Sequence, residues 1–155
     1  MLLRLVALGQ RMPAWIAAAY HEYAKRLPRD CALELLELKP EPRDRGRTAA
    51  QILAAEAVRI RAACANCSIV ALDERGSAWT TLDLARNLQQ WQAAGASVAF
   101  VIGSADGLDP ALKRTAAARL ALSAMTLPHG LVRVLLVEQI YRATSVLAGH
   151  PYHRG

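Results

Sequence analysis

The sequence contains few aromatic residues and no long apolar segment. Aromatic residues make up 5% of the 155 positions, and phenylalanine occurs once. This scarcity argues against an open sheet that stacks nucleic-acid bases on exposed rings. A membrane-spanning helix needs roughly 20 apolar residues. The longest candidate, residues 131–140, is interrupted by Arg133 and Glu138, so we expect no membrane-embedded segment.

Cysteine is also scarce, with three residues in the chain. An odd number of cysteines without a signal peptide predicts a reduced, cytoplasmic protein. Cys64 and Cys67 have C-x-x-C spacing, and Cys31 stands alone. No second ligand pair follows at zinc-finger distance, and the pair ends a predicted helix, whereas a thioredoxin-type pair begins one. We therefore expect neither a bound metal nor a redox role.

Apolar and basic residues are abundant instead. The hydrophobic share is 54% and the formal net charge is +6, from 19 Lys and Arg against 13 Asp and Glu. The apolar content predicts extensive burial and favours a homodimer that covers part of it. The excess of arginine favours a phosphate-bearing partner such as a nucleic acid or a nucleotide, although many small basic proteins bind neither.

Short apolar runs alternate with amphipathic segments along the chain. Strands are predicted at residues 2–8, 33–38, 68–72, 97–102 and 120–125. Helices are predicted after Pro13, from a Thr48/Gln51 capping box to about residue 63, and at residues 82–94, 110–119 and 131–147. This alternation predicts an α/β fold, a parallel sheet between two helical layers (an α/β/α sandwich), in a single domain spanning residues 1–155.

In such a sheet, ligands bind beyond the carboxyl ends of the strands. Those ends are predicted at Leu72, at Gly103 and in the turn after Met125. The loop G-S-A-D-G that begins at Gly103 matches neither of the usual phosphate-binding glycine patterns. No nucleophile elbow, paired carboxylates or H-E-x-x-H motif accompanies it. The loops at this edge of the sheet therefore carry few acid or base side chains and present mainly backbone groups. Such loops suit a transfer reaction in which a reactive cofactor supplies the leaving group.

A basic loop covers residues 39–47, with two prolines and one glycine. Its basic residues are Lys39, Arg43, Arg45 and Arg47. The composition predicts an exposed loop, which is either simply solvated or in contact with a phosphate backbone.

Several segments together resemble a known family. They include Leu8-Gly9 and Met12-Pro13, the V-A-F-V-I-G run that ends at Gly103, and L-S-A-M-T-L-P-H at residues 122–129. L-V-R-V-L-L-V-E-Q-I-Y-R-A follows at residues 131–143, and H-P-Y-H-R ends the match at residues 150–154. On these motifs, which span essentially the whole chain, the sequence resembles the ribosomal RNA large subunit methyltransferase H family of SPOUT (α/β-knot) enzymes.

The resemblance implies a specific activity and assembly. It implies methyl transfer from S-adenosyl-L-methionine to N3 of pseudouridine 1915 in 23S rRNA of the assembled ribosome, by a homodimer with a carboxyl-terminal trefoil knot. The cofactor would contact Leu72, Gly103 and the segment made of Leu122, Ser123, Ala124, Met125, Thr126 and Leu127. One departure stands out, because the family usually has G-G-P-E-G where this chain has Ser104, Ala105 and Asp106. If position 104 required a positive φ, Ser104 would be strained there.

The chemistry of the implied substrate indicates candidate catalytic residues. The N3 atom of a uracil-type ring must lose a proton before it can accept a methyl group, and a positive or hydrogen-bond-donating site stabilises the resulting anion. Candidates for that site are His129, Arg133, His153 and Arg154, with Tyr152 orienting the base. His129 is equally well interpreted as a turn residue that hydrogen-bonds nearby backbone. For Arg133, a structural interface role is as well supported as a contact with RNA. Glu138 and Arg142, four residues apart, are expected to form a helix ion pair.

Three other functions remain open at this point. The chain could be a non-catalytic ribosome-associated factor, a different α/β enzyme with a nucleotide cofactor, or a SPOUT enzyme with another RNA target. Saturable binding of S-adenosyl-L-methionine and the identity of the methylated nucleoside would separate them.

Overall fold

The computed structural model describes residues 1–44 and 46–154 and contains one five-stranded parallel sheet. Its strand order is β2-β1-β4-β3-β5. The strands are β1 (Leu2–Leu8), β2 (Leu33–Leu38), β3 (Ser68–Ala78), β4 (Ser97–Ile102) and β5 (Ala118–Ala121). The helices are α1 (Ala14–Ala24), α2 (Ala49–Ala63), α3 (Thr81–Ala93), α4 (Pro110–Thr115) and α5 (His129–Ala148), and 3₁₀ turns cover Arg29–Cys31 and Pro151–Arg154. The predicted α/β fold is confirmed.

Helices cover both faces of the sheet. On one face, side chains of α3 and α5, such as Leu88 and Ile140, pack with Leu5 and Phe100 of the two central strands. On the other face, residues of α2 and α4 pack against Val6 and Val101. Because both faces are buried, β1 and β4 are mainly apolar, with Arg4 as the charged exception in β1. The sequence therefore showed them as short apolar runs, and β1, β2 and β4 have the predicted bounds.

Helix starts also follow the sequence closely. The Thr48 hydroxyl accepts from the Gln51 backbone N–H (3.1 Å) and the Gln51 side chain accepts from the Thr48 backbone N–H (2.9 Å), which confirms the predicted capping box. Thr80 and Asp83 form a second box at α3. Asp109 caps α4, with Pro110 in its first turn as predicted.

Two strand predictions were wrong at their carboxyl ends. β3 continues to Ala78, because residues 73–76 form a bulge after which Ser77 pairs with Leu120 on β5. Gly76 makes this pairing possible, since a Cβ at this position would lie 2.7 Å from the Arg119 backbone. β5 itself ends at Ala121 instead of residue 125. Beyond Ala121 no ladder partner is present among the described residues, and the chain forms a loop.

Two helix boundaries also differ from the prediction. α4 ends at Thr115 instead of about residue 119, because the chain must straighten to begin β5 at Ala118. α5 begins at His129 instead of residue 131, directly after Pro128, so His129 lies in the first helical turn. The carboxyl-terminal knot that the resemblance implies stays a prediction.

Candidate active site

A pocket of about 780 Å³ lies at the carboxyl ends of β1, β4 and β5 and at the bulge of β3. Its wall contains seven of the eight residues expected to contact a cofactor, namely Leu72, Gly103, Leu122, Ser123, Met125, Thr126 and Leu127. Ala124, in the same segment, is exposed and does not form part of the described wall. The Ser123 hydroxyl accepts from the Met125 backbone N–H (2.9 Å) and shapes this segment as a turn. The volume is typical of small-molecule sites.

The loop between Gly103 and Gly107 closes tightly on one side of the pocket. A Cβ on Gly103 would lie 2.4 Å from the Gly107 carbonyl oxygen, so only glycine fits there. Gly107 has a φ of +82°, which also favours glycine. Ser104 is absent from the non-glycine residues with positive φ, which among the described residues are Arg11 and Asn66. The departure from the family pattern at Ser104 therefore introduces no backbone strain.

A polar network holds the outer side of the same loop. The Ser104 hydroxyl donates to the Glu56 carboxylate at 2.7 Å, and Glu56 lies 2% exposed on α2. Arg43 from the basic loop contacts both the Ser104 hydroxyl and the Asp106 carboxylate at 3.0 Å. The Glu41 backbone N–H also donates to Glu56, at 2.9 Å. The basic loop is thereby tied to the pocket wall through Arg43, while Arg45 lies outside the described residues.

Carboxylates from the β3 bulge line the opposite side of the pocket. The nearly buried Asp73 lies 3.6 Å from the Lys113 ammonium and 3.9 Å from the Arg119 guanidinium. Glu74 accepts a hydrogen bond from the Thr126 hydroxyl at 2.7 Å and so connects the bulge to the 122–127 segment. These acidic groups give the pocket a site for hydroxyl or cationic parts of a ligand.

His129 also lines the pocket, and Arg133 lies behind it. His129 Nδ1 is 3.1 Å from the Gly103 carbonyl oxygen, and Arg133 Nε donates to His129 Nε2 at 2.9 Å. Arg133 further donates to the Glu37 carboxylate (2.6 Å) and the Gly9 carbonyl (2.8 Å). Arg133 is 2% exposed, so the RNA-contact interpretation of this residue was wrong, and the interface role stays a prediction. Burial, and after it the Arg133 charge, lower the pKa of His129.

The carboxyl-terminal residues pack on α5, away from the described pocket wall. The Tyr152 ring lies 4.5 Å from the Tyr141 ring, centroid to centroid, and the Arg142 guanidinium lies 4.9 Å from the Tyr152 centroid. The tail therefore has a packing role that its sequence does not indicate. Glu138 and Tyr141 are nine and twelve residues along α5 from His129, or about 14–18 Å at 1.5 Å per residue. One chain alone does not bring Tyr152, His153 and Arg154 to the pocket.

The side chains around the tail are polar and hydrogen-bonded. Arg142 and Glu138 form the predicted ion pair at 2.6 Å, and the Tyr152 hydroxyl donates to Glu138 at 3.2 Å. Burial and the Glu138 carboxylate raise the pKa of Tyr152 to about 12, so this phenol is a hydrogen-bond donor at neutral pH. His153 Nδ1 is buried without a hydrogen-bond partner among the described residues.

The sequence reasoning missed four carboxylates around the site, namely Glu37, Glu56, Asp73 and Glu74. Asp73 and Glu74 directly follow the predicted end of a strand, where ligands bind in parallel sheets, so that rule could have identified them. Glu37 near the end of β2 falls under the same rule. Glu56 interrupts the apolar face of α2, and a buried charge signals a specific partner, but the sequence does not indicate that the partner is Ser104.

The described residues show no cluster of three or more potential metal ligands. Burial raises the pKa of Cys31 and of Cys64 to about 11, which keeps both thiols protonated at neutral pH. Among the described helices, none is sufficiently long and apolar to cross a membrane.

Comparison with known proteins gives a family match over nearly the whole chain. Residues 1–153 match the family model described as "Predicted SPOUT methyltransferase". A protein from Nitrosospira multiformis named ribosomal RNA large subunit methyltransferase H is 60% identical over 149 residues, which cover 96% of each chain. Proteins of the same name from Bordetella petrii and Burkholderia thailandensis are 56% and 57% identical over 155 residues, covering 99% of each chain.

Solved structures with much lower identity share the fold. A probable methylase family protein from Haemophilus influenzae Rd KW20 has a TM-score of 0.63 at 16% identity, with 95% of this chain and 66% of that chain covered. A probable methyltransferase from Bordetella pertussis Tohama I has a TM-score of 0.59 at 15% identity, with 91% and 95% covered. At such identities the likeness concerns the fold alone.

Proposed function

Because this chain belongs to the ribosomal RNA large subunit methyltransferase H family of SPOUT methyltransferases, we propose that it methylates N3 of pseudouridine 1915 in 23S rRNA of the assembled ribosome, with S-adenosyl-L-methionine as methyl donor. The observation that carries the proposal is the pocket. It lies where a parallel sheet binds ligands, and Leu72, Gly103 and most of the 122–127 segment line it together.

The pocket fits S-adenosyl-L-methionine in size and in chemistry. Its wall combines apolar side chains such as Leu72 and Leu122 with the carboxylates of Asp73 and Glu74. Apolar groups suit an adenine ring, and carboxylates suit ribose hydroxyls and a cationic sulfonium. The tight turn at Gly103 keeps the backbone at the pocket surface. When bound, the cofactor supplies an electrophilic methyl group, and the chain's own residues position the two reactants.

The substrate side must favour loss of the N3 proton. Tyr152, His153 and Arg154 are suited to this task, because hydrogen-bond donors and a cation stabilise the resulting anion. The neutral Tyr152 phenol orients the base, and the buried, unpartnered His153 Nδ1 offers a further polar contact. His129, the remaining candidate from the sequence, lines the pocket of its own chain, but both of its ring nitrogens are engaged, with the Gly103 carbonyl and with Arg133.

The position of the tail supports a homodimer. In one chain the tail packs on residues that lie roughly 14–18 Å along α5 from His129, so a second copy that brings its tail to the cofactor would complete the site. Large apolar side chains are exposed and available for such an interface, including Trp15 on α1 (61% exposed) and Met125 beside the pocket (78% exposed).

The charge of the chain supports an RNA substrate. The net charge of +6 favours phosphate contacts. Arg43 connects the basic loop to the pocket wall through Ser104 and Asp106, so phosphate contacts by this loop would lie next to the pocket.

The test is methylation of ribosomes that lack this modification, followed by mass analysis of the nucleosides. The expected product is 3-methylpseudouridine at position 1915. A methylated nucleoside elsewhere would overturn the substrate assignment. Absence of saturable S-adenosyl-L-methionine binding would overturn the enzymatic role and favour a non-catalytic ribosome-associated factor.

A further inference from the structure

Hydrogen-bond polarity fixes the protonation state of His129. The Gly103 carbonyl oxygen only accepts, so His129 Nδ1 must carry the proton across their 3.1 Å contact. The Arg133 Nε–H only donates, so His129 Nε2 must be the unprotonated acceptor across their 2.9 Å contact. Only the neutral imidazole with the proton on Nδ1 satisfies both partners. A second proton would direct an N–H at the N–H of a guanidinium.

The guanidinium has no freedom to turn away from the ring. Its other two nitrogens are held by the Glu37 carboxylate (2.6 Å) and the Gly9 carbonyl (2.8 Å). At 2% exposure, Arg133 has no access to water that could replace these contacts. Leaving a buried guanidinium without one of its partners is strongly destabilising. The hydrogen bonds that link Glu37, Arg133 and His129 therefore have one arrangement.

These hydrogen bonds connect β1, β2, β4 and α5 beneath the pocket. Glu37 lies on β2, Gly9 follows β1, and Arg133 and His129 lie on the first turns of α5. Gly103 follows β4 and lines the pocket. The contacts therefore fix the position of the Gly103 carbonyl relative to the strand ends on either side.

We propose that His129 is a positioning residue, held neutral with its proton on Nδ1 by the Glu37–Arg133 pair, which fixes the Gly103 wall of the cofactor pocket and takes no proton from the substrate. The tautomer is a property of the chain alone, whereas the positioning role rests on the proposed function, because it presupposes that the pocket binds S-adenosyl-L-methionine.

The charged surroundings of the ring agree with this assignment. Burial and the Arg133 charge lower the pKa of His129, and the Gly103 contact and the Glu37 charge act in the opposite direction. Tyr20 of α1, whose pKa the Arg133 charge lowers in part, stays neutral at physiological pH because burial raises its pKa to about 12. The described partner of His129 Nε2 is the Arg133 Nε–H, which only donates and so offers no acceptor for a second proton.

The first experiment reads the tautomer in the protein without ligand. Long-range ¹H–¹⁵N correlation spectra distinguish a protonated ring nitrogen from an unprotonated one, and the His129→Asn variant identifies the signals. We expect Nδ1 protonated and Nε2 unprotonated at pH near 6.5, the ordinary pKa of histidine. An imidazolium or a proton on Nε2 under these conditions would overturn the proposal. The exposed His21 of α1 supplies the matched control, His21→Asn, whose spectrum should retain the His129 signals.

The second experiment separates positioning from chemistry. Calorimetric titration with S-adenosyl-L-methionine compares the wild type with His129→Leu, which loses the Gly103 contact, and His129→Asn, whose amide can donate to the same carbonyl. We expect roughly tenfold weaker binding for Leu, the size of one lost hydrogen bond, and substantial recovery for Asn. Unchanged affinity in the Leu variant would overturn the positioning role alone. No binding by the wild type would overturn it together with the proposed function.

Methylation kinetics complete the test. For His129→Leu we expect a higher KM for the methyl donor with kcat nearly retained, because this substitution weakens binding and leaves the reacting atoms untouched, whereas His129→Asn should lie closer to the wild type. A large loss of kcat with an unchanged KM would show that His129 acts on the substrate, and the proposal would be wrong.

Discussion

The pocket and the carboxyl-terminal tail are held in place by different kinds of contact. The pocket wall depends on the interior, where Arg133 is buried and Gly103 leaves no room for a side chain. The tail depends on the surface of α5, where Tyr152 contacts Tyr141 and Arg142. Interior contacts of the first kind cannot be rearranged without unfolding part of the sheet edge, whereas surface contacts of the second kind are weak individually.

This difference indicates how the two halves of the proposed reaction are built. The cofactor side is preorganised within one chain, as precise positioning requires. The substrate-side residues lie on a surface element, where a partner subunit or RNA can reposition them at small cost. Substitutions in the two regions should therefore differ in both the size and the kind of their effects.

The largest effect on stability is expected for Glu37→Ala. It removes the carboxylate partner of a buried guanidinium and should lower the free energy of unfolding by about 3 kcal/mol, near the low end for such pairs because the Glu37 side chain is 36% exposed. Urea denaturation measures this. The matched control is Glu34→Ala on the same strand, which removes an exposed pair with Arg4 and should cost less than about 1 kcal/mol. Equal losses in the two variants would contradict the importance of the buried pair.

The second-largest loss of stability is expected for Gly103→Ala. The new Cβ would lie 2.4 Å from the Gly107 carbonyl oxygen, so the loop must move, at a cost of about 2 kcal/mol. Binding of S-adenosyl-L-methionine should fall sharply because the wall moves with the loop. In the control, Gly9→Ala, the new Cβ has 3.4 Å to its nearest neighbours, Arg133 and His129. If the two variants bound the cofactor equally well, Gly103 would not have the role assigned to it.

Ser104→Ala probes the outer support of the same loop. It removes the hydrogen bond to the buried Glu56 and should cost about 1 kcal/mol, with a moderate loss of cofactor affinity. Asp106→Ala removes an exposed contact to Arg43 and should cost below about 0.5 kcal/mol. A larger loss of stability in Asp106→Ala than in Ser104→Ala would show that the exposed contact with Arg43, and not the one with Glu56, supports the loop.

The smallest effect on stability is expected in the tail. Tyr152→Phe keeps the ring contacts and loses the hydrogen bond to Glu138, at a cost of about 0.5 kcal/mol. Methylation should nevertheless fall well beyond this change in stability, since the hydroxyl is proposed to orient the base. Activity that stays at the wild-type level would remove Tyr152 from the substrate site.

The sequence correctly predicted those strands and helix starts that local residue patterns determine. Short runs rich in apolar residues located β1, β2 and β4, and the Thr48/Gln51 pattern located the start of α2. The errors came from non-local pairing. β3 extends because Gly76 allows a bulge to pair with a strand more than forty residues later in the chain, and the apolar segment after Ala121 was taken for strand although nothing pairs with it.

The pocket was predictable from the sequence about as well as the fold. The rule on strand ends and the family motifs identified most of the pocket wall. The partner of Arg133 is Glu37, 96 residues away, and no periodicity connects the two. The contact of Tyr152 with Tyr141 likewise depends on the chain reversing after Gly149, whose φ of +70° ends α5.

The division between a preorganised cofactor pocket and a separate substrate-side tail is tested most directly by one deletion. The variant ends at Pro151 and so lacks the residues from Tyr152 onwards. Calorimetry with S-adenosyl-L-methionine and methylation of unmodified ribosomes are measured on the same preparation. We predict cofactor affinity close to that of the full chain and no detectable 3-methylpseudouridine. Full methylation without the tail would contradict the assignment.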